Sequence, residues 1–275
     1  MIHTCHFNGR LGNNLFQIAN LLSIQHKVGG DIILPHHTHA GHRGDIPVDL
    51  SIFGYDFKRG EIETEESYNQ SNFHYIPIPL GEEVSTDKSL TLTGYYQSWR
   101  YFEEIRDLLT TKYFTPTEEI SERINSYQIS SKSLGISVRR GDYLMLQHNH
   151  CVLGIEYYQE CINRLQGDYD SIFVFSDDLP WCREVFGPNV NYVESPIGEQ
   201  FFLMTKMKHF IMSNSTFAWW GCYLNQQGGR IFVPDPWFGP SNKDLNTSDL
   251  IYPDWERAEH TITTHPYTLT PNMYN

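Results

Sequence analysis

Residues 134–143 read LGISVRRGDY. Leu134 to Val138 are apolar or small, as in a strand buried on both faces of a sheet, and the polarity then switches within one residue to Arg139-Arg140-Gly141-Asp142. Downstream the same alternation repeats. A helical pattern over 155–165 precedes an apolar run at 172–175, and a second helix at 181–186 precedes Tyr192-Val193. A third helix at 200–210 leads to Ile211-Met212, and a fourth at 217–225 leads to the apolar run 231–233. Strands alternating with helices imply right-handed crossovers and a parallel, doubly wound sheet. Ligands of such sheets sit at the carboxyl ends of the strands, so the loops to read for chemistry are those that follow an apolar run.

Upstream, residues 2–7 read as a strand and are followed by Asn8-Gly9-Arg10-Leu11-Gly12-Asn13-Asn14. Leu15, Phe16, Ile18, Ala19, Leu21 and Leu22 then suit a helix with a broad buried face. Residues 32–35 suggest a second short strand, and 36–98 suggest irregular loops with short strands. Residues 102–114 and 118–127 read as helices, the second entered through Thr115-Pro116-Thr117. A junction near 128–133 divides the chain into an amino-terminal domain, 1–130, and a carboxy-terminal domain, 131–275.

The 275 residues suffice for two modest cores, and the aromatic fraction of 14% fills them without disulfides. A net charge of -13 argues against nonspecific binding to nucleic acid or anionic membrane, so an anionic ligand must meet a local basic site. The five cysteines are scattered and never form CxxC, which indicates neither a zinc site nor a disulfide framework and fits a reducing cytoplasm. No basic leader or bilayer-length apolar run is present, so any membrane contact would be peripheral, through a lipid-linked acceptor at the inner membrane.

Three strand-end loops carry candidate chemistry. Arg139 and Arg140 present planar, bidentate donors suited to phosphate, with a pair of structural ion pairs as the alternative. Ser213-Asn214-Ser215-Thr216-Phe217 opens a helix, where hydroxyls and free amides cradle an anion or simply cap the helix. In Ser176-Asp177-Asp178 a carboxylate can accept from a guanine edge or a sugar hydroxyl, or start the next helix. The Gly9–Asn13 loop lacks the third glycine of a dinucleotide fingerprint and the lysine of a P-loop, leaving a backbone that approaches a ligand between two domains. His36, His37, His39, His42, His148 and His150 lack the spacing of a catalytic zinc site. Asp168-Tyr169-Asp170 precedes a strand and reads as a polar turn, and Trp219-Trp220 as packing against the sheet.

Taken together, GRLGNNLFQIAN (9–20), VRRGDY (138–143), VFSDD (174–178), SNSTFAWWGCYL (213–224) and VPDPWF (233–238) resemble glycosyltransferase family 11, the alpha-1,2-fucosyltransferases. More distantly they resemble the alpha-1,6- and protein O-fucosyltransferases. The resemblance implies a GT-B fold: two Rossmann-like domains facing across a cleft, the carboxy-terminal one holding GDP-fucose and the amino-terminal one facing the acceptor. It implies inverting transfer of L-fucose to the 2-hydroxyl of a galactose-type sugar, as in O-antigen synthesis, with no metal or other cofactor. By position, Arg139 would bind the diphosphate and stabilise departing GDP, with Arg140 and Asp142 fixing the loop. Ser213, Asn214, Ser215, Thr216 and Phe217 would add diphosphate contacts. Ser176 and Asp177 or Asp178 would address the nucleoside, and Gly12 and Asn13 would approach from the other domain. Asp142, His148, His150 and Glu156 are the candidates for a general base. One departure is Ser137, where the family places histidine. Transfer with another linkage and an inert GDP-sugar-binding module share these motifs; a zinc hydrolase is the remote competitor. Tyr95, Tyr96 and Trp99 either stack on a sugar or pack the amino-terminal domain.

Overall fold

The computed structural model describes residues 2–85 and 87–262; the last residues assigned to the carboxy-terminal domain, 263–275, lie outside these. The first half contains β1 (Ile2–His6), α1 (Leu11–Val28), β2 (Asp31–Ile32), β3 (His37–His39), β4 (Asp45–Pro47), β5 (Glu66–Asn69) and β6 (Leu90–Thr93). β2, β1, β6 and β5 form a parallel sheet in that order, with β3 and β4 as a separate antiparallel pair. Short helical turns, including α2 (Arg106–Leu108), and then α3 (Glu118–Asn125) connect the halves.

The second half contains β7 (Ser133–Val138), α4 (Ile155–Arg164), β8 (Ser171–Ser176), α5 (Leu179–Phe186), β9 (Asn191–Tyr192) and α6 (Ile197–Met204). It continues with β10 (His209–Ile211), α7 (Thr216–Tyr223), β11 (Ile231–Asp235) and β12 (Glu256–Glu259). The parallel sheet runs β12-β11-β10-β7-β8-β9. Counted from β7, that is the order 3-2-1-4-5-6 of doubly wound nucleotide-binding sheets, and the switch point lies between β7 and β10. All six residues of β7 are buried, as its near-continuous small and apolar run requires. The α/β, GT-B-type fold expected from the sequence is the observed one.

Three local expectations need correction. The helix expected over 200–210 ends at Met204, and His209–Ile211 is instead the strand beside the switch point. The apolar runs 201–204 and 210–212 are too short to show a period, and the polar residues Thr205, Lys206 and Lys208 between them read equally well as the exposed face of one continuing helix. The helix expected over 102–114 breaks into short 3-10, α and π turns. There the hydroxyls of Thr110 and Thr111 donate to the carbonyls of Arg106 and Asp107, loosening a regular helix. Finally, Trp219 and Trp220 do not simply pack on their own sheet. Phe16 of α1 lies 4.4 Å from Trp219 and 5.0 Å from Trp220, and Phe102 stacks on Trp220 at 5.2 Å. Trp220 Nε1 donates to the Gly12 carbonyl at 3.0 Å. One aromatic cluster therefore belongs to both halves.

Candidate active site

The switch point is fastened by two serines. Ser137, at the end of β7, accepts from the amide of Ser213 at 2.8 Å and lies 3.1 Å from its hydroxyl. Both are buried, so Ser137 joins the two strand-end loops and does not face the cleft.

Beyond Ser137 the two arginines part. Arg139 donates to Asp142 and to Asp177, and its guanidinium lies 5.1 Å over the Tyr143 ring. Asp142 also accepts from Arg10 at 3.1 Å, across from the other half. Arg140 turns away. Its Nε donates to Asp178 at 3.0 Å, its backbone amide to Asp177 at 2.9 Å, and its guanidinium stacks 4.2 Å over Trp181. Arg140 is thus no second arm of a clamp; it anchors the loop to α5, the loop-fixing part of what the resemblance implies. Gly141 has no room for a side chain, since a Cβ there would lie 2.4 Å from Asp177 Oδ2.

The Ser176–Asp178 loop is likewise committed. Ser176 Oγ accepts from the Asp178 amide, and Asp178 caps α5 by accepting from the Trp181 amide at 3.2 Å. Neither carboxylate is an idle acceptor awaiting guanine: Asp177 holds Arg139 and Asp178 holds Arg140. Asn214 is buried, its side-chain amide donating to the carbonyls of Cys151 and Trp237, while its backbone carbonyl accepts from the Tyr143 hydroxyl. Of the 213–217 loop, Ser215, Thr216 and Phe217 keep partial exposure, and Ser213 and Asn214 do not.

Gly12 and Asn13 meet the start of α7 directly. Asn13 Oδ1 accepts from Thr216 at 2.8 Å and from Gln97, after β6, at 2.9 Å. A Cβ on Gly12 would lie 2.5 Å from the Phe217 amide nitrogen, so glycine is required for the two helix starts to approach. Two helix amino termini and two arginines therefore converge on one cleft, an arrangement suited to an anion.

Electrostatically the cleft sets Arg10 and Arg139 against Asp142 and Asp177. Burial first, then Arg139, pulls the Arg10 pKa down, with Asp142 opposing. Burial pushes the Tyr143 phenol up to about 12, so it stays protonated and donates. Burial lowers His150 to about 4, and the neutral ring stacks on Tyr143 at 4.3 Å. Among the other base candidates, His148 and Glu156 are exposed, and Asp142 already accepts from two guanidiniums.

The structure adds Arg10 and Tyr143 to the residues expected from sequence. The signal for Arg10 in the sequence is its place between two glycines at a strand-to-helix turn. Asp168 and Asp170 form a polar turn at the amino end of β8, the end away from this cleft; Asp170 accepts from Ser130 and Ser171. Among the described residues, no three histidine, cysteine or acidic side chains gather as metal ligands, and no helix is long and apolar enough to cross a membrane.

The glycosyl transferase family 11 model matches residues 1–257. The chain belongs to this family. An Escherichia coli O-antigen biosynthesis glycosyltransferase, WbnK, is 30% identical over 74% of this chain and 70% of its own length. An Escherichia coli alpha-1,2-colitosyltransferase is 32% identical over 62% of this chain, and the match spans 63% of that protein. Mouse galactoside alpha-(1,2)-fucosyltransferase 2 is 27% identical over 92% of this chain and 77% of its own. Among solved structures, the fucosyltransferase NodZ from Bradyrhizobium superposes with a TM-score of 0.56 at 14% identity, over 86% of this chain and 94% of that one. POFUT1 in complex with GDP-fucose gives 0.51 at 10%, over 82% and 93%. Both share the fold of this family 11 glycosyltransferase.

Proposed function

We propose that this glycosyltransferase moves L-fucose from GDP-beta-L-fucose to the 2-hydroxyl of a galactose-type acceptor, with inversion and without a metal. The family, the alpha-1,2 names of its relatives and two fucosyltransferase folds support this reading. The observation that carries it is Arg139, held between Asp142 and Asp177 at the switch point and facing Arg10 and the start of α1. An incoming diphosphate exchanges with these carboxylates for the guanidinium, and Arg139 then carries charge that develops on departing GDP. Asp142, which touches both arginines, sets the position of Arg139. The acceptor hydroxyl attacks the anomeric carbon from the face opposite GDP, and a lipid-linked acceptor would bring the enzyme to a membrane surface. The relative named a colitosyltransferase favours one second reading, transfer of colitose in place of fucose.

The test is transfer to lactose in EDTA with GDP-fucose and GDP-colitose compared, for the native protein and Arg139→Ala, with the linkage determined by NMR. An alpha-1,2 product that disappears in a folded Arg139→Ala variant is the expected result. Failure to bind GDP would sink the reading, activity that EDTA abolishes would remove its metal independence, and preference for GDP-colitose would reassign the donor.

A further inference from the structure

From Arg139 toward the amino-terminal half runs a row of planar side chains at the margin of the shared core, against which its far members Phe238 and Phe73 pack. Tyr143 lies beneath the Arg139 guanidinium, and His150 stacks on Tyr143 with planes within 8°. His150 lies 6.3 Å from Phe238, and Phe238 meets Phe73 of the amino-terminal half edge-on at 5.3 Å. All five side chains are half-buried, whereas Phe16, Phe102, Trp219 and Trp220 are fully enclosed.

The row is held from behind by backbone. His150 and Phe238 form an antiparallel bridge, the Gly239 amide donates to the Asn149 carbonyl at 3.0 Å, and Asn214 ties Cys151 to Trp237. At the far end Gln70 accepts from the amides of Tyr95 and Tyr96 and donates to the Phe73 carbonyl, which fixes the backbone around Phe73. These rings keep partial access to solvent in fixed positions, and burial keeps the His150 ring uncharged.

A pyranose offers one face of C–H groups, whose slight positive charge suits an aromatic π-face, and its hydroxyls stay in water. In galactose the axial 4-hydroxyl leaves C3–H, C4–H and C5–H together on one such face. We propose that the Tyr143–His150–Phe238–Phe73 row is the acceptor subsite, with that face of a terminal galactose-type sugar on the rings and its reactive hydroxyl toward Arg139. The proposal rests on the fucosyl-transfer reading and names the part of the molecule that receives the acceptor.

The experiment measures KM for lactose and the GDP dissociation constant in the full chain, for the native protein, Phe238→Leu and Phe73→Leu. The lactose KM should rise about tenfold, the size of one lost aromatic contact, while GDP affinity stays within about twofold. An unmoved lactose KM, or GDP affinity lost in parallel, overturns the subsite. Should the leucine variants fail to fold, saturation-transfer NMR of the native protein with GDP and lactose decides. Saturation concentrated on galactose H3, H4 and H5 supports the row; uniform or absent saturation overturns it. A native protein that binds no GDP and fucosylates none of a panel of β-galactosides refutes the fucosyl-transfer reading itself, whereas transfer with lactose KM unmoved refutes only the subsite.

Discussion

Behind the cleft, the halves meet through Phe16, Phe102, Trp219 and Trp220, enclosed rings with centroids 4.4–6.2 Å apart. At the cleft itself they meet through Arg10, Asp142 and Arg139, partly hydrated charges. The rings have no alternative partner, and separating them exposes apolar area; the charges exchange one carboxylate for a phosphate without leaving a group unpaired. The contrast implies that the halves are fixed relative to each other and that a donor enters by exchange of ion-pair partners.

The largest effect should come from breaking the ring contact. Trp220→Ala removes a side chain packed on Phe16, Phe102 and Phe114 and should cost about 3–5 kcal/mol of stability, measured by denaturant unfolding. A loss below about 1 kcal/mol would mean that the halves separate freely, which contradicts the fixed interface. On the cleft side the effect should move from stability to rate. Arg139→Ala should lower kcat by about 10²–10³-fold, as for other removed transition-state donors, with only a small change in melting temperature.

These two regions were unequally legible in the sequence. The parallel alternation and the loop after β7 could be read because a strand buried on both faces leaves a continuous apolar run, and a switch to paired arginines is abrupt. What could not be read is direction. Nothing in Arg139-Arg140 says that one side chain enters the cleft while its neighbour lies over Trp181. Trp219-Trp220 likewise reads as core in any arrangement, and only the tertiary contact with Phe16 shows that the core crosses between halves. Strand β12 is not legible in the sequence because Glu256-Arg257-Ala258-Glu259 is a charged edge strand with one buried side chain. The resemblance supplied Arg139's role; the polypeptide pattern alone left phosphate binding and structural pairing nearly balanced.

Gly12→Ala probes the seam between the two regions. The added methyl would sit 2.5 Å from the Phe217 nitrogen, a backbone atom that yields only if α1 and α7 part. A cost of about 1–3 kcal/mol is expected, with weaker GDP binding because the two helix starts no longer converge. Calorimetry of GDP binding beside a thermal melt separates the two. Unchanged affinity despite lost stability would show that the helix convergence serves packing alone.

The smallest effect concerns His150, and it sharpens the difference between a hydrated charge and a ring in the same cleft. Burial lowers its pKa to about 4, Asp142 acts against that shift, and Arg139 and Arg10 add to it. The unfolded chain takes up the proton near 6.5, before the native ring does. Stability from the neutral ring is therefore complete above about pH 6.5 and is lost as pH falls from there toward 4. His150→Phe keeps a flat ring against Tyr143 and cannot be protonated. Relative to it, the native melting temperature should fall by an extra few degrees, on the order expected for one partly exposed group, between pH 6.5 and 4.5. His3 and His209, also lowered by burial, contribute the same background slope to both proteins. Because the ring stays neutral, it should add no limb to the transfer-rate profile between pH 5 and 8. A limb near pH 6.5 that vanishes in His150→Phe would instead make this histidine a proton carrier, and the row above Tyr143 would then act in the chemistry as well as in stacking.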